Sequence, residues 1–173
     1  MLSMDITLVR VDNRLIHGQI LEAWVPFTRA ACIMVVDDEV AGDFFRETVI
    51  RMAVPRAVEV IVSGIQEFSR DYRYATGQGK KAIVLFSTIA DACQAFSAGF
   101  KFTKLNLGNV HHDQSESEKI RCSSCVFLDG NDIKCVLNLM DAEGVQVELR
   151  RIPQEEPVDV RDIITGTLCQ RCR

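Results

Sequence analysis

The segment Asp12–Gln19 holds residue types that are suited to carrying a phosphoryl group. His17 supplies an imidazole, whose neutral nitrogen is a good nucleophile near neutral pH. Arg14 supplies a guanidinium that can pair two phosphate oxygens at once. Asp12 could orient Arg14, or accept a proton from His17 and so fix the tautomer of its ring. Phosphoryl transfer depends mainly on positioning and charge stabilisation, so these three side chains predict a phosphoryl-relay site.

The position of this segment in the chain favours the same chemistry. The β-branched run Ile6–Val11 predicts a strand, and a helix is predicted to begin near Gly18 because apolar residues follow at helical spacing, at Ile20, Leu21, Trp24 and Val25. His17 then lies just before the helix or in its first turn, where backbone N–H groups lack partners within the helix and can bind an anion. Gly18 has no side chain, so we expect it to let the backbone approach a phosphate closely.

A purely structural role is the alternative for each histidine. Histidines near a helix start are commonly surface or capping residues, and nearby Asp12 and Arg14 do not decide the matter for His17 on their own. His111 and His112 lie in a polar stretch and could both be exposed loop residues.

The remaining sequence alternates between predicted strands and helices. Apolar runs predict strands at 32–36, 58–62, 82–86, 105–107, 126–128 and 145–149. Helical spacing predicts helices around 65–68, 90–96, 133–140 and 163–168, and one helix that starts at the acids Asp37–Glu39, carries the apolar residues of 44–52 and ends at Pro55. This alternation is typical of an α/β fold, here an open, mostly parallel β-sheet flanked by helices on both faces, as a single domain over residues 1–173.

Further expectations concern particular segments. Strict alternation in Val145–Leu149 predicts a strand with one face in water, and the polar stretch His111–Arg121 predicts a loop. Ligands of open parallel sheets bind beyond the carboxyl ends of the strands. The candidate loops are therefore those at 12–18, 37–39, 63–64, 87–88 and 108–113.

Composition narrows the classes of partner and the compartment. The chain has 173 residues, 47% of them hydrophobic, with 20 basic against 24 acidic residues and a net charge of −4. Nucleic-acid binding needs an excess of positive charge, so we expect none. No apolar run approaches the roughly 20 residues of a membrane helix, and Met1–Asp5 shows no secretion signal. We therefore expect a cytoplasmic protein with reduced thiols, whose partner must span the membrane if it serves a membrane process.

Several segments resemble one known family, and they occur in the order that the family has them. They are Val9–Ile20, Val35–Ala41, Met52–Pro55, Leu105–His111, Val126–Leu128, and the stretch from Gly144 to Pro153. The chain is similar in these segments to the IIB components of the mannose/fructose/sorbose family of the phosphoenolpyruvate-dependent sugar phosphotransferase system. The resemblance covers roughly residues 5–160 and leaves a short C-terminal extension.

This resemblance implies a phosphocarrier enzyme. His17 would accept phosphate from a IIA histidine and pass it to a sugar held by membrane IIC and IID components, with which the protein would associate peripherally. Arg14 and Asp12 would belong to the active-site loop, and Asn13, Gly18 and His111 would contact the phosphate. No cofactor, metal or nucleotide is implied, since the relay starts from a phosphorylated protein. The sugar stays open between mannose, fructose, sorbose, N-acetylgalactosamine and another hexose, and so does self-association.

Two other functions are weighed against this one. A regulatory relative would accept phosphate for another protein to sense and would not deliver it to sugar. A zinc-stabilised binding domain would use the pairs Cys122/Cys125 and Cys169/Cys172, because four thiolates can bind zinc tetrahedrally. The pairs lie further apart than in common zinc ribbons, and Cys125 leads into a predicted strand, so we expect no metal.

Overall fold

The structure, a computed structural model, describes residues 5–72, 79–111 and 119–171, with side chains described as far as Gly166. The strands are β1 (Asp5–Asp12), β2 (Cys32–Val36), β3 (Glu59–Ser63), β4 (Lys81–Phe86), β5 (Lys104–Asn109), β6 (Ile120–Arg121), β7 (Phe127–Leu128), β8 (Gln146–Leu149) and β9 (Val158–Asp159). A π-helix (Gln19–Trp24) precedes the α-helices α1 (Val25–Thr28), α2 (Asp38–Ala41), α3 (Phe44–Ala53), α4 (Ile65–Asp71), α5 (Ile89–Ser97), α6 (Gly130–Asp141) and α7 (Val160–Arg171).

The described residues build one main sheet in the order β3-β2-β4-β1-β5-β8-β9, and a small separate hairpin of β6 and β7. Every neighbouring pair in the main sheet is parallel except β8 and β9, which are antiparallel. Strand β1 therefore lies in the middle, between β4 and β5. The carboxyl ends of the parallel strands share one edge of the sheet, which is where ligands bind in such folds.

Each face of the sheet is covered by its own group of helices. In β2, whose residues are all buried, Met34 and Val36 belong to one apolar core, while Ile33 and Val35 belong to the other. Alternation of this kind follows from the two-residue period of a strand. The first core packs against α4, α5, α6 and α7, and the second against the π-helix, α2 and α3. These two covered faces confirm the predicted fold class.

The single helix predicted after β2 is wrong, because the chain forms two helices there. Asp43 ends the first helix by capping the second: its carboxylate accepts the N–H groups of Phe45 at 3.0 Å and Arg46 at 3.1 Å. A short carboxylate favours such a cap over a place inside a helix, since it satisfies amides that have no partner in the first turn. Asp37 caps α2 in the same way through the N–H of Val40.

The prediction of a wet face on Val145–Leu149 is partly wrong, since Gln146 on that face is exposed but the face is not open to water along its whole length. Glu148 lies on the supposed exposed face but is 2% exposed. Strand β9 pairs with β8 on its outer side, and the carboxylate of Glu148 pairs with the ammonium of Lys104 at 2.5 Å. Strand β9 is two residues long and has no apolar run that would have predicted it.

The loop predicted over His111–Arg121 is partly wrong. Ile120 and Arg121 form strand β6, which pairs with β7, while 112–118 lie outside the described residues. Among the described residues, no helix combines the length and the apolar character needed to cross a bilayer.

An aromatic cluster anchors α4 to the sheet, and Phe100 lies at its centre. Phe100 is fully buried, with its ring centroid 4.8 Å from that of Phe68 and 4.9 Å from that of Tyr72. We expect Phe100→Ala to lower the free energy of unfolding by about 3–5 kcal/mol, since it removes buried contacts and leaves a cavity. Urea denaturation followed by circular dichroism measures the loss.

The matched control for this change is Phe44→Ala. Phe44 is 85% exposed, so its truncation should change the free energy of unfolding by about 0.5 kcal/mol or less. Equal losses in the two variants would show that the aromatic cluster does not stabilise the fold as described.

Candidate functional site

The ends of β1 and β5 form a switch crevice in the topological sense, because the chain leaves these two strands toward opposite faces of the sheet. After β1 it enters the π-helix, whose Ile20 and Trp24 belong to the second core. After β5 it continues to α6, whose Val136 and Leu139 belong to the first. Such a switch point is the usual ligand site of an open α/β sheet. The sequence predicted that the loops 12–18 and 108–113 lie at this edge. In the structure, the described residues of the second loop, 108–111, contact the first loop.

Asn13 joins the two loops through both its backbone and its side chain. Its N–H donates to the carbonyl of Asn109 at 3.1 Å. Its Oδ1 accepts from Asn109 Nδ2 at 2.9 Å and from the N–H of His111 at 2.8 Å, and its Nδ2 donates to the carbonyl of His111 at 3.1 Å. Asn13 therefore holds the two loops together.

His111 lies at the rim of the crevice and is exposed. Its ring stands perpendicular to that of Phe127, with the centroids 5.1 Å apart. It is thus a neighbour of the first loop, as the sequence predicted, although its ring is supported by the β6–β7 hairpin.

The carboxylate of Asp12 is the hub of the site and is fully buried. Its Oδ2 accepts from Arg10 Nη2 at 2.8 Å and lies 3.0 Å from Nε2 of His17. Its Oδ1 accepts from the N–H of Arg14 at 3.2 Å and from Arg14 Nε at 3.3 Å. Burial alone would raise the pKa of Asp12, but the hydrogen bond with His17 and the charge of Arg10 outweigh it and lower the pKa below its usual value. Asp12 is therefore ionised at neutral pH.

A tight turn brings His17 back toward Asp12. The N–H of Leu15 donates to the carbonyl of Asp12 at 2.8 Å, and Leu15 has a φ of 52°, in the left-handed region that glycine favours. The buried side chain of Leu15 packs in the second core beside Ile20 and Trp24 and holds this conformation. The turn therefore brings the candidate nucleophile His17 into contact with Asp12, five residues earlier in the chain.

His17 precedes the helix as predicted, but the helix begins differently. It is a π-helix, and two of its first amides, those of Ile20 and Leu21, donate to the carbonyl of His17 at 3.0 and 3.1 Å. These two groups are not free for an anion, contrary to the expectation. The side chain of His17 keeps 16% of its surface exposed.

The expectation for Gly18 concerned a bound phosphate, and no contact within the chain accounts for the glycine instead. Its φ of −51° is an ordinary helical value, and a Cβ built on it would meet nothing within 4 Å. Gly18 is exposed, so any close approach would have to be that of a partner or ligand.

Arg14 lies at the exposed side of the same carboxylate. Its side chain is 46% exposed, with Nε on Asp12 and Nη2 on Oε1 of Gln19 at 3.1 Å. Arg14 and His17 are thus both held by Asp12. The sequence offered contact with Arg14 and contact with His17 as alternative roles for Asp12, and the structure has both contacts.

The sequence reasoning missed the buried side of the site. Arg10, Asn106 and Asn109 were not selected, although Arg10 carried a readable signal: a charged residue in the middle of the otherwise apolar run Ile6–Val11. A charge inside a buried strand needs partners, and these lie on β5 and after β8, far away in sequence.

The cysteine pairs give no metal centre in the part of the chain that the structure describes. There, no group of three or more histidine, cysteine or acidic side chains could hold a metal ion. Cys122 packs against the first core, where burial raises the pKa of its thiol to about 11. The pair Cys169/Cys172 lies outside the described side chains.

Fold and site together define a doubly wound α/β protein whose candidate site lies at its topological switch point, and comparison with known proteins places it further. The family model of the PTS system sorbose subfamily IIB component matches residues 6–171. The PTS system fructose-specific EIIB component of Bacillus subtilis is 30% identical over 161 residues, which cover 93% of this chain and 96% of that protein. The IIBSor domain of the sorbose permease from Klebsiella pneumoniae has a TM-score of 0.83 at 30% identity, over 95% of this chain and 98% of that structure.

A further relative is longer. The PTS system mannose-specific EIIAB component of Escherichia coli K12 is 31% identical over 162 residues, which are 94% of this chain and 49% of that protein. The chain therefore spans about half the length of the mannose-specific relatives that it matches. It belongs to the sorbose subfamily of IIB components of the sugar phosphotransferase system, and the family resemblance seen in the sequence is confirmed.

The lowered pKa of Asp12 predicts how stability depends on pH. An ionised Asp12 stabilises the native state at pH values above the usual carboxyl pKa of about 4, and this contribution is lost as the pH falls through the lower native value. We expect the free energy of unfolding of Asp12→Asn to fall less steeply than that of the wild type on acidification below about pH 5. Urea titrations at a series of pH values measure the slopes.

Glu39→Gln is the control for this prediction. It also removes one carboxylate, but that side chain is 86% exposed, so its slope should match the wild type. Equal slopes for Asp12→Asn and the wild type would contradict the electrostatic account of the buried hub.

Proposed function

We propose that this protein is a phosphocarrier: His17 accepts a phosphoryl group from a phosphorylated IIA protein and passes it to a sugar held by membrane IIC and IID components. The observation that carries the proposal is the contact between His17 Nε2 and the buried, ionised Asp12 at the switch crevice. An oriented, partly exposed imidazole is what a phosphoryl relay needs.

The contact supports Nδ1 of His17 as the nucleophile of the proposed transfer. An ionised carboxylate can only accept hydrogen bonds, so Nε2 of His17 must carry the proton that it shares with Asp12. In the neutral ring the lone pair then lies on Nδ1. The bond from phosphorus to the donor nitrogen breaks as the bond to Nδ1 forms, and the donor imidazole keeps the electron pair. The proton stays on Nε2, where Asp12 stabilises the charge of the phosphorylated ring.

Arg14 is suited to the phosphoryl oxygens. It is anchored to Asp12 by its N–H and Nε, while the exposed end of its guanidinium donates to the neutral side chain of Gln19. A guanidinium held on the same carboxylate as the nucleophile can neutralise the transferred group without a large movement. Asn13, Gly18 and His111 complete the proposed phosphate surroundings, Asn13 by fixing the loops and the other two as exposed neighbours.

The second transfer delivers the group to a sugar hydroxyl. There the P–N bond to Nδ1 breaks as a P–O bond forms, Nδ1 keeps the electron pair, and the hydroxyl proton is released to solvent. The leaving imidazole returns to its neutral state, with its Nε2 proton on Asp12. The names of the relatives include fructose, sorbose, mannose and N-acetylgalactosamine, so the substrate class proposed here is a hexose or an amino sugar. We propose that the protein works in the cytoplasm, at the inner side of the transporter.

The test is phosphoryl transfer from labelled phosphoenolpyruvate through the general phosphotransferase proteins and a IIA protein. We expect the label on the wild type as an acid-labile adduct, and none on His17→Ala. Label on His17→Ala would contradict the assignment of the acceptor. Label that never passes to sugar in membranes holding IIC and IID would favour the sensing role instead.

For Arg14→Ala we expect transfer slowed by roughly a hundredfold, as for other losses of transition-state charge stabilisation. The fold should be unchanged, since an exposed guanidinium contributes little to stability. The matched control is Arg161→Ala: Arg161 is 47% exposed and pairs with Asp141, at the end of α6 and away from the crevice. Equal transfer rates in the two variants would remove Arg14 from the mechanism.

A further inference from the structure

Arg10 is the largest fully buried side chain of the described residues, and it lies directly behind the proposed site. Besides Asp12, it binds Asn106 Oδ1 through Nη1 at 2.5 Å and the carbonyl of Arg150 at 2.9 Å. Its Cζ lies 5.5 Å from the centroid of the Trp24 ring. The guanidinium of Arg10 is therefore bound by residues of β1, of β5 and of the segment after β8.

Gly108 makes the space that this guanidinium occupies. A Cβ at position 108 would lie 1.8 Å from Arg10 Nη2 and 1.9 Å from its Cζ, which is far inside contact distance. The glycine has no need of an unusual φ, so its steric role beside Arg10 is the reason that the structure gives for its identity.

Burial excludes a direct role for Arg10 in binding phosphate. Its side chain is 0% exposed, whereas that of Arg14 is 46% exposed. Among the described residues nothing accepts from its Nε, which is a costly arrangement for a buried donor. Arg10 and His17 both contact Oδ2 of Asp12, so this carboxylate links the buried charge to the ring.

We propose that Arg10 is a positioning residue, which holds Asp12 ionised and in place so that His17 keeps its proton on Nε2, and that Gly108 preserves the space Arg10 needs. The effect on phosphoryl transfer rests on the proposed phosphocarrier function, but the effect on Asp12 and on the His17 tautomer concerns the unphosphorylated protein alone. It adds two residues to the working site, neither of which can touch the phosphoryl group.

The charges around the hub favour Arg10 as the controlling one. Asp12 faces Arg10, Arg14 and His17, and Arg10 in turn faces Arg14 and Glu155. Solvent screens the charge of the half-exposed Arg14, whereas that of Arg10 acts across a dry contact of 2.8 Å. Loss of Arg10 would remove the nearest buried charge that opposes the effect of burial, so the pKa of Asp12 would rise and its carboxylate would compete with His17 for the proton.

The experiment reads the His17 ring directly, by ¹⁵N NMR of the unphosphorylated protein with labelled histidine. We expect the wild type to show one tautomer, protonated on Nε2. Arg10→Met and Gly108→Ala should both show a mixture of tautomers, while Arg10→Lys, which keeps the charge, should retain most of the Nε2–H form. Lys104→Met is the matched control, because it also removes a cation from a buried carboxylate, that of Glu148, and should leave the ring unchanged.

The rate of phosphoryl acceptance against pH is the second readout. In Arg10→Met and Gly108→Ala we expect a loss of roughly tenfold to a hundredfold at neutral pH, as for other outer partners of a working histidine. The acidic limb of the profile should move to higher pH. In an Asp12→Asn background, Arg10→Met should add no further shift, since the two residues act as one unit.

Each outcome decides the proposal. A folded Arg10→Met or Gly108→Ala protein with an unchanged tautomer and an unmoved acidic limb would overturn it, as would Arg10→Lys behaving like Arg10→Met. If Arg10→Met fails to fold, Gly108→Ala and Arg10→Lys provide the same comparison. If the wild type accepts no phosphate at all, the proposed function fails, and the ring spectra still test the role of Arg10.

Discussion

One buried carboxylate determines the candidate site. Asp12 ends the central strand and receives Arg10 from inside the sheet, Arg14 from the exposed loop and His17 from the start of the following helix. A carboxylate without these partners could not stay ionised where it is, because burial opposes its charge. The partners in turn take their orientation from it. The orientations of the candidate nucleophile His17 and of the exposed Arg14 therefore depend on one buried carboxylate at the centre of the fold.

The topology explains why His17, which contacts this buried hub, lies where a partner can reach it. The chain leaves β1 on one face and β5 on the other, so the ends of these strands stay uncovered. Asn13 ties the two loops together, and Leu15 turns the first of them back toward the sheet. The result is an imidazole that is held from the protein side while part of its surface stays open, which suits a group that must receive a phosphate and release it again.

Local patterns in the sequence were enough to predict the fold class and the loop that carries the candidate site. Apolar runs marked β2 and β4, and the motif around His17 marked the loop with Arg14 and Asp12. The errors have local causes: Asp43 prefers to cap a helix, and Glu148 is covered by a two-residue strand that has no pattern of its own. Arg10 and Gly108 were missed because their roles depend on contacts between residues about a hundred positions apart, which no local spacing reveals.

The central claim is that Asp12 leaves Nδ1 of His17 as the phosphoryl acceptor. The most direct measurement is a ³¹P–¹⁵N correlation spectrum of the protein phosphorylated through a IIA donor, with histidine labelled in the ring. The account predicts coupling of phosphorus to Nδ1 of His17, with the proton still on Nε2. Coupling to Nε2, or to a ring other than that of His17, would contradict it.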